Sequence, residues 1–282
     1  MYTVCLLSFR TGIIKNICVK LMALLLFSFR HTSLLTVHTY LHCHTASGWL
    51  RRSRHLQWCL MYLSRIAACR DLIATADSDP DFFKKIVTGD ETWCFAYDPT
   101  TKRQSAAWVG ETSPRSKILR FQKSRVKTTL VIFVHWQGLI HKEFVPESET
   151  INTVHYEGVI EMLLNRIRHV RPGMCESGDR FLLHDNAPSH NATIVKQFLA
   201  QRKVTVLDRP PYSPDLAPAD YFLFPKVKSH LKGRLFDSIS DIQKAVTSTL
   251  NTIAKGDLYK GTQKLCDRAN LCVQLEGRHV EN

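Results

Sequence analysis

A mixed α/β sheet flanked by helices is the fold class this sequence predicts, and three observations carry it. Short apolar runs alternate with longer stretches whose apolar residues recur at helical spacing. Two of those runs, residues 180–183 (RFLL) and 204–207 (VTVL), enclose a helical stretch at 192–201, the order of a β-α-β unit with parallel strands. A third region, residues 127–145 (KTTLVIFVHWQGLIHKEFV), reads as two strands turning back near Gln137-Gly138. The 282 residues suffice for the core of one large domain or two modest ones.

Taken in order, residues 1–30 are apolar groups with Arg10, Lys15, Lys20 and Arg30 set between them. Lys20 followed by LMALLLFSF has the charged-then-apolar order of a signal peptide. Residues 21–29 fall far short of the ~20 apolar residues a spanning helix needs, so no membrane partner is expected. The expectation for residues 1–43 is a segment unrelated to the core, from a truncated or rearranged reading frame, with targeting as the lesser alternative. Residues 44–79 are expected to be a basic linker and helix, the helical pattern running over 64–79 and ending before Pro80. Trp49, Trp58 and Tyr62 lie among basic residues and suit contacts to phosphates and bases. An amphipathic helix packing Leu56, Leu60, Leu63 and Ala67 on the core is the equal alternative.

The main domain is expected over residues 80–282. Residues 81–98 (DFFKKIVTGDETWCFAYD) carry a helix end and then a strand over 92–97, with Asp90 at its start in a Thr88-Gly89-Asp90-Glu91 turn. Residues 104–113 supply a further strand, and 153–170 a helix on Val159, Ile160, Leu163, Leu164 and Ile167. The strand at 180–183 delivers Asp185 at its C-terminal end. Pro210, Pro211, Pro214 and Pro218 then hold an extended loop before Asp220, after which a helical pattern resumes over 221–231. Two more helices are expected at 240–253 and 258–275. A β-α-β unit would bring Asp185 and Asp220 side by side.

Charge is unevenly placed. Residues 1–70 hold nine Lys/Arg and no Asp/Glu, while the remaining 29 basic residues nearly balance all 25 acids. The balance implies a polyanionic partner, nucleic acid or an anionic surface. Within residues 114–127 (PRSKILRFQKSRVK) there are six Lys/Arg and no acid, which suits DNA backbone contacts or a solvated loop. Nine cysteines without a C-x-x-C pair exclude zinc-finger spacing and point to buried free thiols, Cys266 and Cys272 packing on the last helix. Walker and G-x-G-x-x-G loops are absent, so ATP or dinucleotide chemistry has no support.

Singly, each acid has an ordinary explanation: Asp185 in a turn before Pro188, Asp220 as a helix N-cap, Asp90 in an acidic turn. The surrounding text is more specific. HDNAPSH (184–190) followed by YSPDLAPADYFLF (212–224), with thirty-four residues between Asp185 and Asp220, resembles the catalytic core of mariner-type transposases of the Tc1/mariner superfamily. TGDETW (88–93) resembles the segment supplying that family's first acid. The resemblance covers residues 64–282 well and 44–63 poorly.

It implies an RNase H-like fold of the DDE/DDD transposase and integrase kind. It also implies Asp90, Asp185 and Asp220 as catalytic and metal-binding residues for two Mg²⁺ or Mn²⁺ ions, with Asp185 between the ions and the other two each completing one. Three carboxylates brought together repel one another and raise their pKa values, and bound divalent ions reverse that. DNA as partner, a homodimer and a nuclear location follow from the same resemblance. His184 and Asn186 are suited to orient substrate or to serve as turn residues, and Glu91 has no assigned role.

The sequence departs from the family in three places. No paired helix-turn-helix is recognisable in residues 1–43, Val134-His135-Trp136 stands where an acid is common, and LEGRHVEN lacks the aromatic that often follows the last glycine. The expected function is a transposase catalytic domain for DNA strand cleavage and transfer that is not autonomous, binding DNA weakly and without sequence preference. The alternative is a non-catalytic, transposon-derived DNA-binding or dimerising remnant.

Overall fold

The computed structural model describes residues 54–101, 104–106, 122–147, 149–176 and 180–281. The chain divides into two compact units, Met1–Trp58 and Cys59–Asn282, the first almost wholly outside the described residues. The expectations for residues 1–53 and for the basic run up to residue 121 therefore lie outside them as well.

Five strands form one mixed sheet: β1 (Ile86–Phe95), β2 (Lys127–His135), β3 (Gly138–Val145), β4 (Arg180–Leu183) and β5 (Val204–Val206), in the order β3-β2-β1-β4-β5. β1 pairs antiparallel with β2, as β2 does with β3, and β1-β4 and β4-β5 pair parallel. The helices are α1 (Arg54–Ser78), α2 (Thr153–Val170), the short α3 (Pro172–Glu176), α4 (Thr193–Gln201), α5 (Phe224–Leu231), α6 (Ile239–Thr252) and α7 (Lys255–Gln274).

β2 shows why the sheet sits inside two helical layers. Its apolar run is continuous because both faces are covered. Leu130, Ile132 and Val134 pack with Phe224 and Val227 of α5 and Ile242 and Val246 of α6. Val131 and Phe133 point the other way, against Tyr156, Val159, Ile160 and Leu163 of α2 and Val195 and Leu199 of α4. Each such side chain, fully buried, contributes about 1.5–3 kcal/mol. α2 begins at Thr153 because the Asn152 side chain accepts the His155 N–H at 2.9 Å.

Several elements differ from expectation. β1 starts at Ile86, six residues before the expected strand, so Asp90 lies mid-strand and opposite Ile132 rather than in a turn. Gly89 makes that possible: a Cβ there would lie 2.1 Å from Phe133 Cδ1, so only glycine lets the ladder pass the ring. α1 turns Arg65 and Cys69 inward, with Leu72, Ile73 and Ala76; of the stripe expected on Leu56, Leu60, Leu63 and Ala67, Leu63 is exposed, Leu60 and Ala67 are half-buried, and the Leu56 side chain lies outside the described ones. A buried ion pair, Arg65–Asp215, sets which face turns inward.

Asp220 is not an N-cap. It lies inside a π-helical turn, Ala219–Leu223, that precedes α5. Residues 104–105 form a turn, and the rest of the strand expected up to 113 lies outside the described residues. The hairpin turns at Trp136-Gln137 despite the missing acid. Cys272 is buried as expected, whereas Cys266 is half-buried.

Candidate active site

β1 and β4 run side by side, and their last paired residues are Thr88 and Leu183. Two residues further along each chain stand Asp90, within β1, and Asp185, past the end of β4. Asp185 is beyond the end of β4, where its Oδ1 accepts the Ala187 N–H at 3.0 Å and bends the chain into the turn that Pro188 continues. The proline-held loop after β5 returns Asp220 to the same end of the sheet, with the Asp220 N–H on the Ala217 carbonyl at 2.9 Å.

Arg209 joins the acids. Its Nη1 is 2.9 Å from Asp90 Oδ2 and its Nη2 3.0 Å from Asp220 Oδ2, and the side chain is 8% exposed. Asp185 instead pairs with His190, Oδ1 to Nδ1 2.5 Å. The other ring nitrogen of His190 lies 3.3 Å from Glu91 Oε1. Tyr156 stacks on His190 at 3.7 Å between ring centroids, and its hydroxyl is 2.7 Å from His184 Nδ1. His184 and Asn186 thus serve the scaffold: His184 is buried under Tyr156, and the Asn186 amide donates to the Arg209 carbonyl.

The charges follow from these contacts. Burial raises the Asp220 carboxyl and nearby Asp90 raises it further, to about 6, against the opposing pull of Arg209. Burial acts to raise Asp185 too, but His190, the Ala187 N–H and the Arg209 charge outweigh it and hold the group at about 2. Burial would lower His190, yet the contacts with Asp185 and Glu91 lift it to about 9, so it is an imidazolium at neutral pH. His184 is pushed down to about 4, by burial first and by the His190 charge next, and stays neutral.

The donor set is that of a hard divalent cation, since carboxylate oxygens are its preferred ligands. Among the described residues, no group of three or more His, Cys, Asp or Glu is placed so that it could hold a metal ion as it stands. Asp90 and Asp220 do converge on one cation, the Arg209 guanidinium. Asp185 is paired instead with His190.

Beside Asp220 a cleft of about 830 Å³ opens, with Trp93, Lys123, Lys228 and Lys232 among its walls. Lys127 Nζ lies 3.2 Å over the half-exposed Trp93 ring.

Residues 85–243 match the family model of the DDE superfamily endonuclease. The chain belongs to that family. It is 34% identical over 203 residues to the mariner Mos1 transposase of Drosophila mauritiana, a match spanning 71% of this chain and 57% of that protein. The chain therefore covers little more than half the length of this relative. The crystal structure of the Mos1 mariner paired end complex with Mn superposes with a TM-score of 0.71 at 30% identity, over 78% of this chain and 64% of that one. The isolated catalytic domain of Mos1 superposes with a TM-score of 0.64 at 29% identity, over 77% of this chain and 94% of that one. The mariner-type resemblance and the RNase H-like fold class are thereby established.

Of the three acids read from the sequence, Asp90 and Asp220 are bound to a common cation, and Asp185, just past the end of β4, is bound to His190. Sequence reasoning missed Arg209, His190 and Tyr156. His190 lies within HDNAPSH, and its five-residue offset from Asp185 across a proline turn is a usable signal. Arg209 and Tyr156 had none, since their partners lie on other elements.

Proposed function

We propose that this chain is the DNA strand-cleaving and strand-transferring core of a mariner-type transposase, with Asp90, Asp185 and Asp220 as its catalytic carboxylates. The observation that carries the reading is the convergence of Asp90 and Asp220 on one cation beside Asp185, inside a family of endonucleases. Two Mg²⁺ or Mn²⁺ ions held by these carboxylates would supply activation of the attacking oxygen and offset charge at the phosphorus.

The protein's own groups do the rest. His190 keeps Asp185 ionised and aimed, and Tyr156 fixes the imidazole ring. Lys123, Lys228 and Lys232 beside Asp220 suit a phosphate backbone, and the half-exposed Trp93 suits a base face. DNA is accordingly the substrate; a homodimer as the working unit and the nucleus as the place of work rest on the likeness to mariner transposases alone.

The test is nicking of supercoiled DNA with Mg²⁺ or Mn²⁺, compared with Asp185→Ala. Wild type should nick and the variant should not. Equal rates in both remove the catalytic role.

A second reading, a non-catalytic DNA-binding remnant, is favoured by one observation: the acids are paired with Arg209 and His190 rather than left open. It would prevail if DNA binding fell steeply with salt while neither metal-dependent heat nor nicking appeared.

A further inference from the structure

The cation between Asp90 and Asp220 belongs to the protein itself. Arg209 reaches both carboxylates with separate nitrogens of one planar fork, a geometry a lysine ammonium would not reproduce.

The side chain does not arrive from a mobile surface. Past β5 the ladder continues through Leu207 N–H to the Leu182 carbonyl at 2.9 Å, the Asn186 amide caps the Arg209 carbonyl, and Pro210 and Pro211 stiffen the next two positions. A buried guanidinium on a fixed backbone, facing two acids, is a built counter-ion.

We propose that Arg209 competes with the divalent cation for Asp90 and Asp220, so that metal loading is a displacement and Arg209 sets the metal concentration at which the site fills. This rests on the proposed three-carboxylate metal site. Without its guanidinium the two carboxylates repel one another, and a divalent ion gains what the arginine gave up. With it, the ion must first break two charge-assisted hydrogen bonds from a guanidinium that is itself buried.

The experiment is Mn²⁺ titration of the full chain, read as loss of the free-ion electron paramagnetic resonance signal, for wild type, Arg209→Gln, Arg209→Lys and Asp220→Asn. Arg209→Gln should bind Mn²⁺ at least tenfold tighter than wild type. Arg209→Lys, which keeps the charge and loses the fork, should fall between them, and Asp220→Asn should bind weakest. Equal affinity of wild type and Arg209→Gln, with both binding, overturns the Arg209 proposal and leaves the metal site standing. No binding in any of the four overturns the metal site as well. Should Arg209→Gln fail to fold, Arg209→Lys decides, and an affinity unchanged from wild type counts against the proposal.

Discussion

Asp185 and His190 meet across the turn after β4, Oδ1 to Nδ1 2.5 Å, and Glu91 holds the far side of the same ring at 3.3 Å. A cation is thus clasped between an acid at a strand end and an acid in the neighbouring strand.

The first prediction is a pH window. His190 is raised to about 9 in the folded chain from an ordinary 6.5, so its contribution to stability is full below pH 6.5 and is lost as pH rises through 9. Asp185 is depressed to about 2 from 3.8, so its share is present above pH 3.8 and fades as pH falls through 2. Melting temperatures of wild type and His190→Gln should differ most near pH 6 and converge toward pH 9–10. A gap that does not change with pH would show that the ion pairs are not what stabilises this turn.

Gly89→Ala should destabilise the chain by at least the ~1–3 kcal/mol typical of overpacking, because the new Cβ falls within the Phe133 ring. Phe133→Leu on top of it should recover part of the loss. Urea unfolding of both singles and the double closes the cycle. Strict additivity would mean that the ring is not the obstacle.

Asp215→Ala should cost about 3–5 kcal/mol, the range for breaking a buried ion pair. Arg65 is fully buried and gives Asp215 two hydrogen bonds, at 3.0 and 2.5 Å, and donates from Nε to the Gly277 carbonyl at 2.8 Å. Asp215 also accepts the Val280 N–H at 2.9 Å, so the variant should free residues 277–281 to proteases. Joint replacement by Arg65→Met and Asp215→Leu should restore most of the stability. If the double variant is no better than the single, the pair contributes more than the cost of leaving a charge unmatched.

Binding to DNA through the cleft's lysines should by itself be weak and indifferent to sequence. Phosphate contacts alone give roughly 10⁻⁴–10⁻⁶ M at physiological salt. Reading a transposon end needs groove contacts from helices beyond those. Competition between a mariner end and scrambled duplex is the measurement. A preference of about a thousandfold or more, the low end of specific binding, would reveal a reader domain within this chain.

Much of the scaffold was legible because local patterns decide it. The helix over 153–170 occupies the expected residues, since its apolar spacing and Asn152 cap act within one element. The hairpin turns at Trp136-Gln137, within a residue of the expected place, and the β-α-β unit pairs its strands in parallel. The acids themselves were visible as Asp90, Asp185 and Asp220, each embedded in a recognisable stretch of text.

Other features depended on partners far away in the chain. Gly89-Asp90 has the local chemistry of a turn, yet it became mid-strand because β2 pairs along it and Phe133 fills the space a side chain would need. The face of α1 that turns inward was set by Arg65 meeting Asp215, 150 residues on, and no helical pattern within α1 encodes that meeting.

The same holds at the site. Which residues carry charge was written in the sequence, but a charge acts through space. Only the folded chain decided that Arg209 would lie between Asp90 and Asp220 and that His190 would pair with Asp185. Hydrophobic period and turn chemistry are short-range and readable in order. Electrostatic partnership depends on distance and burial, which exist only once the strands and loops have been brought together.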